Sequence, residues 1–227
     1  MTRRTLSLAL TFVVAAAASA YAFGGWAVIT IDDMPDTLNV GAPTQFSFKV
    51  RQHGLELMHG LKPSVEARMG SLSNPTVVRA DAVPGKTKGQ YTAALVVPRT
   101  GEWKVTIKSG FGPSDLPLLP MQATDGKSTI ATISEGERGK RLFVAKGCIS
   151  CHVNSAVDQK GVMQDVGPNL TGKTYDAAYL AMWLENPKIR PRTNPNAEMP
   201  ELGLSKKEVA SLTAFINGTA AAAAKQK

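Results

Sequence analysis

The apolar residues of this chain change period partway along it, so no single kind of secondary structure accommodates both halves. From Trp26 to about Thr124 they alternate. In "TQFSFKV", Phe46, Phe48 and Val50 fall on one face, with Gln45, Ser47 and Lys49 on the other. "QYTAALVV" repeats the pattern with Tyr91, Ala93, Leu95 and Val97, and "EWKVTIK" with Trp103, Val105 and Ile107. "WAVITI", "SVEARM", "TVVRA" and "LPLLPM" are further strand segments, set off by Gly, Pro and Asn. About seven short strands over roughly a hundred residues predict an antiparallel β-sandwich of immunoglobulin type. It has no cysteine pair, so packing alone must hold it together.

Between Met121 and Ser134 neither period persists, and a linker is expected. Beyond it the pattern is helical. Ser134 with Glu137, and Ser205 with Glu208, have the capping-box spacing, which predicts helices opening at Glu135 and after Ser205. The first carries Leu142 and Phe143 inward and stops at Gly147. "DAAYLAMWLEN" supplies a middle helix with Leu180, Trp183 and Leu184 on one face, ended by Pro187. Val209, Leu212, Phe215 and Ile216 form the apolar face of the last helix, for which Gly218 is a natural stop.

The amino terminus sets the expected compartment. A short basic region, Thr2-Arg3-Arg4, precedes an apolar run from Leu6 to Ala18, and Ala20-Tyr21-Ala22 fits a cleavage site. An exported protein is expected, or one held by an uncleaved signal anchor. The divisions are therefore a signal peptide (1–22), a β-sandwich domain (23–124), a linker (125–133), a helical domain (134–218) and a flexible tail (219–227). The net charge of +8 suits acidic protein partners. Nucleic acid is not expected, because the basic residues are scattered, with no block longer than Lys206-Lys207 or Arg3-Arg4.

Both cysteines of the chain lie in "GCISCHV", three positions apart, with a histidine behind the second. A bridge between Cys148 and Cys151 would close almost no loop and stabilise little. A zinc site would need two more soft ligands, and the chain offers only His53 and His59 besides His152. A thioredoxin-like site would lie in a βαβ setting, whereas this motif follows a helix. Cys-x-x-Cys-His is the c-type haem attachment pattern. Two thiols about one turn apart can bond two vinyl groups, and His152 can then reach the iron as proximal ligand.

Residues 134 to 218 resemble the class I cytochrome c family. Gly139 and Phe143, with Leu212 and Phe215, stand where that family's terminal helices cross. "GPNL" (167–170) resembles its loop after the haem motif, which implies that the Pro168 carbonyl orients the proximal imidazole. "YLAMWLENPKIRP" is similar to its middle helix and following loop, and "EMP" implies Met199 as the sixth ligand. Of the domain's other methionines, Met182 reads as core filler and Met163 as loop cover for a haem edge. The stretch "VNSAVDQKGVMQDV" is longer than in compact members and is expected to be a surface loop.

The expected fold is thus two-domain, β plus α: an immunoglobulin-like antiparallel sandwich followed by an all-α cytochrome c fold. The resemblance implies one covalent haem c and no catalysed bond chemistry. With both axial positions filled, the iron passes single electrons. A periplasmic electron carrier or redox subunit of a respiratory chain is expected. Lys146, Lys160, Lys173 and Lys188 are the lysines that could steer acidic redox partners.

The sandwich itself, through "FKVRQHGLELMHGLKPSVEA" and "GQYTAALVVPRTGEWKVTI", resembles periplasmic domains of the YtkA/FixH type. That implies a docking role beside a membrane oxidase or reductase. Imidazole and thioether groups at His53, Met58, His59 and Met69 raise copper as a second cofactor, although two exposed histidines and two core methionines are the plainer reading. Two other functions remain open, a haem-based sensor or ligand-binding protein and a copper-handling oxidase assembly factor. Membrane association would come through a partner or the signal anchor.

Overall fold

The computed structural model describes residues 25–126, 133–157, 166–189 and 197–224, with side chains as far as residue 218. The signal peptide, most of the linker, Lys160 and Met163 lie outside the described residues.

Among the described residues, eleven strands form the first half. They are β1 (Ala27–Ile31), β2 (Leu38–Asn39), β3 (Thr44–Gln52), β4 (Glu56–Leu57), β5 (Ser64–Met69), β6 (Thr76–Asp81), β7 (Val83–Pro84), β8 (Gln90–Leu95), β9 (Gly101–Lys108), β10 (Asp115–Pro117) and β11 (Met121–Thr124). One sheet has the order β1-β3-β8-β7, with β4 added on β3; the other runs β2-β11-β9-β5-β6, with β10 added on β9. The sheets pack their apolar faces together. Phe48 stands opposite Tyr91 and Ala67 opposite Val105, and the Phe48 and Tyr91 rings stack 6.1 Å apart. Phe46, Phe48, Trp103 and Ile107 are wholly buried, so the alternation read from the sequence is the alternation in space.

Two features of the sandwich differ from the sequence expectation. "LPLLPM" is not one strand: β10 ends at Pro117 and β11 opens at Met121. Pro117 and Pro120 have no N–H for a ladder, which interrupts the run. The pairing is also mixed, because β11 runs parallel to β2. Elsewhere the strand pairs are antiparallel.

Among the described residues of the second half are three α-helices: α1 (Glu135–Ala145), α2 (Ala177–Glu185) and α3 (Lys206–Ala224). Their starts follow the capping chemistry. Ser134 Oγ accepts the Glu137 N–H at 3.2 Å, and Asp176 Oδ1 accepts that of Tyr179 at 2.8 Å. The box at α3 is reciprocal. Glu208 N–H donates to Ser205 Oγ at 3.3 Å, and Ser205 N–H to Glu208 Oε2 at 2.8 Å. The expected stop at Gly218 does not occur. The helix continues to Ala224 through five alanines, whose helix propensity offsets the single glycine.

α1 and α3 cross at Gly139. A Cβ there would lie 1.9 Å from the Ser211 carbonyl oxygen and 2.7 Å from Phe215 Cβ, so only glycine allows the approach. The Phe143 and Phe215 rings meet beside it with centroids 5.4 Å apart. α2 buries Leu180 and Leu184, but Met182, expected in the core, is exposed on the outer face.

The two halves share a boundary. All five residues of β1 are buried. Ala27, Ile29 and Ile31 belong to the shared apolar core, while Thr30 donates its hydroxyl to the Lys146 carbonyl at 3.4 Å. Burial on both faces is why "AVITI" lacks the alternation of the other strands.

Candidate functional site

α1 ends at Ala145, and Gly147 takes the left-handed conformation at φ 77°. The chain then turns through one 3₁₀ turn, Cys148–Ser150. The N–H groups of Cys151 and His152 both donate to the Cys148 carbonyl, at 3.1 and 2.9 Å. This tight turn brings both cysteines and His152 to the wall of one cavity of about 490 Å³, within the usual size range of small-molecule sites. Trp183 of α2 reaches the same cavity, as do Pro168 and Met199 from segments with no regular structure.

The His152 ring is held from two sides. Its Nδ1 lies 3.0 Å from the Pro168 carbonyl oxygen, which can only accept, so Nδ1 carries the proton and Nε2 is the lone-pair nitrogen. Gly167 packs directly against the ring, where a Cβ would come within 2.7 Å of Cε1. Burial pushes the imidazole below its ordinary pKa, against the pull of the Pro168 carbonyl, which favours the charged ring. The ring is therefore neutral at pH 7, the state in which imidazole binds a metal.

Cys148 and Cys151 are free thiols. Burial, with a smaller contribution from the neighbouring Cys151, pushes Cys148 up to about 12; burial pushes Cys151 up to about 11. A dithiol redox centre needs the opposite, a thiolate favoured at neutral pH. The donor set instead suits covalent haem c, with two protonated thiols, a fixed neutral imidazole and a thioether lining one cavity.

The lysines do not behave alike. Lys146, expected on the exposed edge, is buried, with its ammonium 2.8 Å from Glu208 Oε1 and 2.6 Å from the Asp32 carbonyl oxygen. It holds the fold and does not face a partner. Lys173 and Lys188 are exposed, and Lys188 lies at the cavity, 3.9 Å from Glu201.

The copper expectation is not supported. Among the described residues no three His, Cys, Asp or Glu side chains cluster as a metal site. Met69 ends β5 in one sheet and accepts from Arg99 Nε at 3.1 Å, whereas His53 follows β3 in the other sheet and packs on Trp26.

Three residues contribute in ways that their local sequence does not announce, Gly147 having been expected only as the stop of α1. Val28 of β1 lines the cavity. Gly147 is pressed against β1, where a Cβ would come within 2.3 Å of the Ile29 carbonyl oxygen. Asn217 of α3 ties down Tyr175, ahead of α2, by accepting its N–H and donating to its carbonyl, each at 3.0 Å. The absence of alternation in "AVITI" is the one sequence clue that β1 is covered on both faces.

No curated protein matches this chain. The family model described as cytochrome c matches residues 136–220, which are α1, the cysteine turn, α2 and most of α3. Proteins of that family hold haem c covalently and carry electrons. The second half of this chain, with its crossed terminal helices and its cavity walled by Cys148, Cys151 and His152, is a cytochrome c domain.

Proposed function

We infer that the chain is an exported, periplasmic carrier of single electrons, or the redox subunit of a respiratory complex. The observation that carries this reading is the cavity on which Cys148, Cys151, His152 and Met199 converge. Cys148 and Cys151 would hold the haem through two thioether bonds to its vinyl groups. His152 would offer Nε2 as an iron ligand, since the Pro168 carbonyl fixes the ring from Nδ1 and would make it a stronger donor. Met199, on the same cavity, would offer its thioether as a second ligand. When bound, haem ligated in this way takes up and releases one electron without a vacant iron position, and thioether ligation raises its potential.

Partner recognition is electrostatic in this reading. The basic net charge and the exposed Lys173 and Lys188 suit a membrane oxidase or reductase with an acidic docking surface. The β-sandwich serves as the docking module.

Absorption spectra of protein matured with covalent haem test the reading, taken oxidised, reduced, and reduced under CO. A c-type reduced spectrum, a far-red methionine–iron band in the oxidised protein and no CO shift are expected. Met199→Ala should abolish the band and admit CO. A wild-type protein that binds CO and lacks the band would instead be a haem sensor or ligand-binding protein.

A further inference from the structure

Met199 lies in residues 197–205, which belong to neither helix nor strand. Such a segment has no backbone ladder to fix it, so neighbouring elements must hold it in place. One hold on it comes from the other half of the molecule. The Glu198 N–H points to the His53 carbonyl at 3.4 Å, and Gly54 is buried against the same residue. A Cβ on Gly54 would lie 2.4 Å from the Glu198 carbonyl oxygen and 3.7 Å from Pro200 Cδ. The turn after β3 therefore packs on the residue before Met199 and lies beside the one after it.

This turn is itself braced. Among the described residues His53 is the one non-glycine with positive φ, at 53°, a conformation that persists only where surrounding contacts enforce it. Its N–H donates to the Trp26 carbonyl at 3.0 Å, and its ring packs on Trp26 with centroids 5.4 Å apart. Gly25 lies under the ring, where a Cβ would fall 2.4 Å from Nε2. On the same side, β1 contributes Val28 to the cavity wall and carries the Ile29 carbonyl against which Gly147 sits.

We propose that the β-sandwich is a structural part of the haem site: the His53–Gly54 turn is a positioning element that holds Met199 on the iron, while β1 walls the crevice. This rests on the haem reading above. Loosening the turn frees the Met199 segment and raises the fraction of molecules with an open iron position, without altering any ligand.

The test uses the full-length chain with covalent haem. Gly54→Ala places a methyl group against Glu198, and Gly54→Asn does so with a residue that tolerates positive φ, so one of the pair retains the turn. Gly41→Ala and Gly60→Ala are the controls. Their φ values of 70° and 73° impose the same backbone strain, but their Cβ atoms would meet nothing within 4 Å. Because apparent ligand affinity scales with the competent fraction, the Gly54 variants should bind CO about tenfold or more tightly than the controls. Their far-red band should weaken and their reduction potential fall. Gly54 variants that match the controls in all three would overturn the proposal while leaving the haem reading intact. A wild-type protein without covalent haem would overturn both.

Discussion

The Lys146 ammonium reaches out of the helical half to within 2.6 Å of the Asp32 carbonyl oxygen in the sandwich, and its side chain is only 2% exposed. Its countercharge is Glu208, the residue that closes the capping box of α3. One buried cation thus fastens the end of α1, the start of α3 and the strand side of the sandwich at a single point. Lys146 lies two positions before Cys148 and lines the same cavity, so the junction of the halves and the wall of the haem site share one residue.

Lys146→Met should destabilise the protein by about 3 kcal/mol, because removing one partner leaves the other's charge poorly solvated. Lys146→Met combined with Glu208→Gln should recover part of the loss, since neither charge then lacks a partner. Denaturant unfolding of the two single variants and the double variant checks this. A double variant as unstable as the sum of the singles would show that Lys146 and Glu208 are not coupled.

The same junction predicts how acid acts. Burial raises the Glu208 pKa, but hydrogen bonds from Lys146 and Ser205 more than offset this and hold it below its ordinary value of 4.5. At Asp32, burial is likewise outweighed, by Lys49, Gln90 and Ser47, which hold it below 3.8. A carboxyl with a depressed folded pKa contributes its full stability above the unfolded value and loses it as pH falls through the folded one. The melting temperature should therefore be flat in these terms above about pH 5 and drop below it. In Glu208→Gln the acid slope should be shallower, as thermal melts across pH 3 to 7 would reveal.

The helix crossing allows a matched pair of substitutions. Gly139→Ala places a methyl group 1.9 Å from the Ser211 carbonyl and should cost about 3 kcal/mol, the scale of overpacking a close contact. Gly136→Ala on the same helix meets nothing within 4 Å and should stabilise by up to ~1 kcal/mol through helix propensity. Opposite signs in thermal denaturation would separate the crossing from propensity.

At the proximal side, Gly167→Ala drives a methyl group into the His152 ring and misaligns it from the Pro168 carbonyl. Loss of such an orienting contact costs a metal site roughly tenfold or more in affinity. The variant should show less covalent haem per chain and a shifted reduction potential. Haem staining after denaturing electrophoresis, with a redox titration, measures both. Unchanged haem content and potential would mean that the ring is held by other contacts.

Much of this protein is written locally. Period-two alternation placed the main strands, and Ser134, Asp176 and Ser205 cap the three helices through side chains that act within three residues of their own backbone. The Cys-x-x-Cys-His spacing fits one turn of chain, so the cysteine turn needed no tertiary information either. Local signals failed where neighbours decided. Gly218 would end an isolated helix but is carried through by the alanines after it. Met182 has a core-like composition around it yet faces outward, and Lys146 has a surface-like side chain yet is enclosed.

The joining of the halves was decided by the tertiary structure. Residues Val28, His53 and Gly54 come from the sandwich, and Gly147, Glu198 and Met199 come from the cytochrome c domain, so their contacts span roughly a hundred residues or more. Side-chain spacing along a strand or helix encodes which face is apolar, but not which surface of another domain will cover it. The sequence by itself therefore determined two domains and the residues of a haem attachment turn. Only the folded chain determined that Val28 of β1 lines that site and that the His53–Gly54 turn packs on Glu198 beside Met199, because these approaches depend on backbone atoms, glycine clearances and a buried lysine brought together by packing.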